Sequence, residues 1–413
     1  MKKLLIIIVC LFCCHVPFAQ IITDCQTEKL NELTWSLNPE MSEEQQDLEA
    51  FVQSFLANNR RTTPNFDSLS RVTDYTIPVV LHIFHHGDIG KISVEQAQSG
   101  LYIINRDFQG LNEDWNSVNP VFEDIKSSLS IKFVLATIDP NGLPTTGIIY
   151  HDDSLAAYRE TVLEEHAWDN RKYLNIYLPK SLFNYATLMS GFTRLPNILS
   201  IRDNRGGIFM SSSRWGYGDQ SDFEDGDEWA SVATHEAGHW LGLFHTFRNG
   251  CEGLDDLVED TPRTMDNGIQ LDGCENNNFS CGVPSNGENY MDYNHGCKKM
   301  FTKGQVERMD AILHHEARIN LWTQTNLQAT GTNFISEDVG ILPYPNPAKE
   351  WITFDLRHAP VTLHISNSAG SLIAQYPVDK PLYRLNIQDL NRGIYFCSYV
   401  HKGKIFQGKF MVE

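Results

Sequence analysis

Several things are scarce in this chain of 413 residues. Basic side chains are outnumbered: 33 Lys and Arg face 52 Asp and Glu, a net charge of -19. Such a surface repels phosphate backbones and argues against nucleic-acid binding. Beyond the first residues no stretch is long and apolar enough to span a bilayer, so the mature chain should carry no transmembrane anchor. There are no internal repeats and no low-complexity tracts, which leaves ordinary globular domains. Cysteine is sparse too, with nine in all, three of them among the first 14 residues.

Those first residues read as a leader. Lys2 and Lys3 form a positive start, Leu4 to Cys14 is an apolar run too short for a membrane span, and His15-Val-Pro-Phe-Ala19 offers small or helix-breaking residues. This is the pattern of a secretory signal peptide, residues 1–19, cut near Ala19. The chain is therefore expected outside the cell or on its outer surface. Oxidising surroundings make the clustered Cys251, Cys274, Cys281 and Cys297 two disulfides, with three pairings open. Cys25 and Cys397 are left over.

The length suits two or three domains. Residues 20–72 are polar and partly helical: Ser42-Glu-Glu-Gln45 resembles a capping box, and Leu48, Phe51, Val52, Phe55 and Leu56 follow at helical spacing. The segment ends in an exposed dibasic string around Arg60-Arg61, which suits a processing site, so it reads as a pro-region. Residues 73–330 alternate. Strands are expected at 77–84, 131–138, 174–178 and 207–212, the last at a sheet edge. Helices are expected after the Ser93-Val-Glu-Gln96 box, from Trp229 to about Phe244, and from Lys303 to Trp322. This implies an α/β (α+β) domain with a mixed sheet, followed by an irregular Gly-, Asn-, Asp- and Cys-rich part at 247–296. After a linker at 331–340, residues 338–413 alternate in short strands, including a hairpin around Lys402-Gly403, and predict a small all-β sandwich.

The chemistry lies in His235-Glu-Ala-Gly-His-Trp-Leu-Gly-Leu-Phe-His245. Histidines four apart share a helix face and can reach one ion. Gly242 can take a positive φ, end the helix and bring His245 in as third ligand. Three protein ligands leave a position open for water, the catalytic rather than the structural arrangement of zinc. Glu236 beside them can take the water's proton. Five fixed residues at these spacings arise by chance in roughly one such chain in 10^5, so the motif is specific.

The motif with its glycine and third histidine resembles the metzincin signature. Asn289-Tyr-Met-Asp-Tyr293, Val258-Glu-Asp-Thr-Pro262 and the cysteine spacing make the stretch 76–322 similar to the pappalysin family. The resemblance implies a metzincin-type catalytic domain, a secreted zinc endopeptidase acting on proteins or peptides. It implies Met291 beneath the zinc, Tyr293 as hydrogen-bond donor to the oxyanion, and the pairs Cys251–Cys281 and Cys274–Cys297. It also implies calcium in the loop after the motif, with Asp255, Asp256 and Asp260 as ligands among Glu252 and Glu259. Related enzymes read a basic residue after the cleaved bond with an acid near the last cysteine. Asn294-His-Gly-Cys297 lacks that acid, so the preference does not carry over. Cys25 in the pro-region could cap the zinc as a thiolate. Tyr344-Pro-Asn-Pro-Ala348, Asn391-Arg-Gly-Ile-Tyr395 and Gly408-Lys-Phe-Met-Val412 resemble a type IX secretion sorting domain, which implies secretion machinery as a partner. The competing reading is a surface adhesion or binding protein with a vestigial zinc site.

Overall fold

The computed structural model describes residues 22–62, 74–154, 163–184, 187–224, 228–252, 256–265, 279–323, 341, 343–356, 358–367, 371–401 and 404–413. The leader, the string after residue 62, Asp255, Cys274 and the linker lie outside these. The strands of the first part are β1 (Ile22–Cys25), β2 (Tyr75–His85), β3 (Lys126–Ser127), β4 (Ile131–Leu135), β5 (Ile148–Asp152), β6 (Leu174–Leu178), β7 (Leu182–Asn184), β8 (Thr187–Thr193) and β9 (Ile208–Met210). Its helices are α1 (Thr27–Leu37), α2 (Pro39–Thr62), α3 (Val94–Phe108), α4 (Ile198–Arg202), α5 (Val232–Trp240), α6 (Lys303–His314) and α7 (Ile319–Thr323).

The main sheet runs β1-β8-β9-β6-β2-β4, with β5 also on β2 and β7 on β8. β2 pairs in parallel with β4, β5 and β6, and β6 with β9, whereas β8 is antiparallel to β9; the sheet is mixed. β2 is buried along almost its whole length because both faces are covered. Ile77, Val79, Leu81 and Ile83 join the core shared with α3 and α5. The alternate residues Val80 and Phe84 pack on the other face, against Tyr173 and Leu163 respectively.

The local signals hold with small shifts. Ser93 caps α3, its Oγ accepting from the Gln96 N–H at 3.0 Å. α2 starts at Pro39, where a fixed φ suits the first helical turn, so the expected box at Ser42 falls inside it. The helix expected over 229–244 is a 3-10 turn, Glu228–Ser231, followed by α5. The last long helix breaks at His315, whose ψ of 154° is extended. The 207–212 strand is not an edge: β9 lies between β6 and β8, and β8 was not foreseen because its sequence is polar and glycine-bearing.

Two short pieces, β10 (Phe279–Ser280) with β11 (Val283–Pro284), make a hairpin, and β12 (Phe301–Thr302) pairs with β3. The tail holds β13 (Trp351–Asp355), β14 (Val361–Asn367), β15 (Leu372–Val378), β16 (Leu382–Asn386), β17 (Gly393–His401) and β18 (Lys404–Val412). They form a β13-β16 sheet and a β15-β14-β17-β18 sheet around Ile352, Phe354, Leu363, Ile365, Tyr399 and Phe410. Among the described residues no helix is long and apolar enough to cross a membrane.

Candidate metal centre

α5 places His235 and His239 one turn apart. The chain then turns at Gly242, whose φ is +84°, and returns His245 to the same point. The three Nε2 atoms lie 3.2 Å from one another. Each opposite ring nitrogen is held from behind. His235 Nδ1 meets the Tyr290 carbonyl at 2.7 Å and His239 Nδ1 the Leu243 carbonyl at 2.8 Å. His245 Nδ1 lies 3.2 Å from Glu28 Oε1. Such bonds put the proton on Nδ1 and turn the Nε2 lone pairs inward, as metal-ligating imidazoles require. Burial drives His235 well below its ordinary pKa and His239 to about 3, which keeps both neutral.

The turn beneath is fastened to the rest. Asn289 and Gln305 exchange side-chain hydrogen bonds of 2.9 and 3.0 Å, and Asn289 Oδ1 accepts from the Met291 N–H. Met291 is fully buried under α5, so close that a Cβ on Gly238 would fall 2.5 Å from its sulfur. Gly238 is what lets the methionine approach.

Glu236 is buried on α5 against β8. Its Oε2 accepts from Thr193 Oγ1 at 2.8 Å and from Thr27 Oγ1 at 3.3 Å. Its Oε1 has no hydrogen-bond partner among the described residues. Burial raises its pKa to about 7, although bonds from Thr193, Cys25 and Thr27 pull the other way. The Tyr293 ring lies 4.8 Å from that of His245, and its hydroxyl donates to the Cys25 carbonyl at 2.8 Å.

Cys25 completes the site. Its sulfur and one nitrogen from each histidine lie within 4.8 Å of one another, the one such group among the described residues. Burial and then the Glu236 carboxylate push the thiol well up. A buried pocket that keeps its imidazoles neutral and disfavours a bare thiolate suits a divalent cation, which takes neutral imidazole as a ligand and stabilises the thiolate. The donor set, three nitrogens 3.2 Å apart with a sulfur within 4.8 Å of them, suits zinc.

The N-terminal segment does more than deliver Cys25. β1 adds in parallel to β8, Ile22 opposite Leu188 and Cys25 opposite Gly191. Past it, Thr27 Oγ1 accepts from the Thr193 N–H, and the Asn31 amide bonds Thr193 O and Leu195 N. Glu28 accepts from the His245 N–H at 2.8 Å. Burial alone would raise its carboxyl, but His245 outweighs this and holds it at about 2. Further along, Glu49 makes a two-pronged ion pair with buried Arg308, whose Nε donates to the Gly242 carbonyl at 2.8 Å. Leu48 and Val52 of α2 pack on Ala311 and Ile312 of α6.

Thr27, Glu28, Asn31, Glu49, Thr193 and Arg308 did not stand out in the sequence. They are common residue types, and only pairings over long stretches of chain give them a role. The cysteines follow expectation where they are described: Cys251 bonds Cys281, and Cys297 is disulfide-bonded while its expected partner Cys274 lies outside the described residues. Among the described residues, which leave out Asp255, the acidic loop brings no three carboxylates close enough to share an ion. Asp260 accepts from Thr302 Oγ1 at 2.7 Å and the Gly304 N–H at 2.9 Å, capping α6. Asp256 Oδ1 accepts from Thr261 Oγ1 at 2.7 Å.

Three converging imidazoles, a glutamate next in line and a methionine turn below define the class: a metzincin-type metallopeptidase. The family described as pregnancy-associated plasma protein-A matches residues 157–314, and a secretion system C-terminal sorting domain matches residues 343–413. Among solved structures, mature mirolysin of Tannerella forsythia with a cleaved peptide is 28% identical, with TM-score 0.52, covering 61% of this chain and 97% of that one. A promirolysin mutant of the same organism is 26% identical, with TM-score 0.58, covering 73% and 97%. An extracellular metalloprotease of Arthroderma gypseum is 28% identical over 63% of this chain and 78% of its own length. Extracellular metalloprotease 1 of Coccidioides posadasii is 45% identical over 20% of this chain, a stretch that spans 29% of that relative. The catalytic part of this chain is thus similar to the pappalysin family, and a stretch similar to a secretion sorting domain follows it.

Proposed function

We propose that the chain is a secreted zinc endopeptidase made as a latent precursor, with His235, His239 and His245 as zinc ligands and Glu236 as catalytic base. The observation that carries this is the trio of Nε2 atoms 3.2 Å apart beside a glutamate oxygen that has no hydrogen-bond partner among the described residues. Zinc, when bound, lowers the pKa of water toward ~7 and polarises a carbonyl. The peptide lies along the β8 edge, which the N-terminal segment now fills. Thr193 holds one oxygen of Glu236, so the other faces the attacking water. Glu236 takes its proton and delivers it to the leaving amine, a task suited to a carboxyl with a pKa of about 7. Tyr293, released from Cys25, turns its hydroxyl to the oxyanion. Met291 supports the ligands from below.

In this reading residues 1–19 are a leader, 20–72 a pro-region, 73–330 the catalytic domain and 338–413 a sorting domain for secretion machinery. Cys25 blocks the open zinc position and the Glu28, Asn31 and Glu49 contacts hold it there. For calcium the only support is the density of carboxylates near Asp255 and Asp256. A lower Tm on selective calcium removal would favour it, and an unchanged Tm would count against it.

The test is Glu236→Gln in the activated enzyme. Zinc content should be kept and peptide turnover should fall about 10^2–10^4-fold; undiminished hydrolysis would overturn the base assignment. A Cys25→Ala precursor that stays as latent as the parent would exclude the thiol block.

A further inference from the structure

The N-terminal segment is held at two separate places. Its first part lies at the metal centre: β1 on β8, Cys25 at the histidines, and Thr27, Glu28 and Asn31 on Thr193, His245 and Leu195. Its second part, α2, lies on α4 and α6. There Asn197 Nδ2 donates to the Met41 carbonyl at 3.0 Å, and Glu44 Oε2 accepts from the Ile198 N–H at 3.1 Å. The Phe51 ring stands 4.9 Å from that of His315, and the Phe55 ring 5.0 Å from that of His314. Leu48, Val52 and the Glu49–Arg308 ion pair complete this second anchor. Between the two parts runs a bare joint. Ser36 to Glu40 are all exposed, Leu37 at 71%. Asn38 ends α1 with φ -134° and ψ 89°, and Pro39 opens α2. An exposed joint between elements is where proteolytic nicking concentrates.

Cuts on the two sides of α2 differ in what they free. A cut at or after Arg60-Arg61 leaves both anchors on one fragment, and every contact named above survives it. Two anchors on one piece hold as a bivalent ligand does: either can open and close again while the other keeps it near. A cut at the joint leaves α2 on the body of the protein and puts Cys25 on a short piece held at the metal centre alone. From this layout, and resting on the peptidase reading, we propose that the joint Ser36–Glu40 is the activating processing site: hydrolysis there, and not behind α2, opens the metal centre. Water adds across one peptide bond, a new carboxylate and a new amine form, and the piece that carries Cys25 leaves. The dibasic site expected at Arg60-Arg61 is then a trimming site whose product stays latent.

The experiment uses two full-length precursors purified with zinc. Each carries one inserted site for the same sequence-specific protease, between Leu37 and Asn38 in the first and between Asp67 and Ser68 in the second. After complete cutting, size exclusion with mass spectrometry reads whether the Cys25 piece stays bound, and a peptide substrate reads hydrolysis. The joint cut should release the piece and raise turnover at least about tenfold over the cut behind α2, which should keep its piece. Glu49→Ala in the second precursor removes the charged anchor, so its piece should leave and its turnover rise. Release and full turnover after the cut behind α2, a piece retained after the joint cut, or a Glu49→Ala form that stays latent overturns the inference and leaves the peptidase reading standing. Release at the joint with no hydrolysis by either form overturns the peptidase reading and keeps the joint as the site that frees the metal centre. Should the insertion at the joint not fold, the second precursor with and without Glu49→Ala still decides.

Discussion

Two stretches of this chain are crowded with metal-ligand residue types, and they behave in opposite ways. In 235–245 three histidines meet at one point. In 252–260, of which 253–255 lie outside the described residues, Asp260 caps α6 and Asp256 bonds Thr261. The difference is one of backbone. A helix fixes the direction of residues i and i+4, and a single glycine turn fixes the third. A loop imposes no common direction, and Asp256 and Asp260 each take a donor close by. A third group, buried His82 with His151 and His166, makes the point again. His82 Nδ1 lies 3.1 Å from His151 Nε2 and its Nε2 3.0 Å from Asn175 Oδ1, while the rings stack on Tyr177 and Phe84. These imidazoles come together to fill the covered face of the sheet.

Breaking the first stretch should have the largest effect. His239→Ala should lose zinc and bring hydrolysis to background, read by metal analysis beside peptide turnover; retained zinc at parent stoichiometry would contradict the convergence. Next comes the packing group. Burial holds His82 near a pKa of about 3. The unfolded chain takes up a proton below about 6.5, so the stability this group lends is whole above that pH and is lost as pH falls toward 3. The slope is about 1.4 kcal/mol per pH unit. Urea midpoints at pH 7 and pH 5 should show it, and His82→Gln should remove that part of the fall. If the variant and parent fall alike, the imidazole is not the cause.

Gly238→Ala adds a methyl where Met291 already sits, and should cost about 1–3 kcal/mol. A Tm equal to the parent's would mean that the turn below the metal yields freely. The smallest effect is at Asp260. Asp260→Ala should cost about 1 kcal/mol as a lost helix cap, by the same amount with and without calcium. A loss that appears only in calcium would return Asp260 to the cation.

Much of this was legible because it is local. The spacing 235-239-245 with Gly242 fixed the convergence, since helix geometry is the same in any context. The alternating tail fixed a sandwich, since period two puts one face inward. Sequence spacing also marked Met291 and Tyr293, through their likeness to a known pattern. Only the tertiary structure decided what surrounds them: that β1 lies along β8, that Glu28 backs His245 and that Glu49 reaches Arg308. These partners are separated by 166 to 259 positions, 166 between Cys25 and Gly191 and 259 between Glu49 and Arg308. No periodicity records a contact at that distance. It exists because burial leaves few polar groups without a partner, and the folded chain brings the partner from wherever it lies.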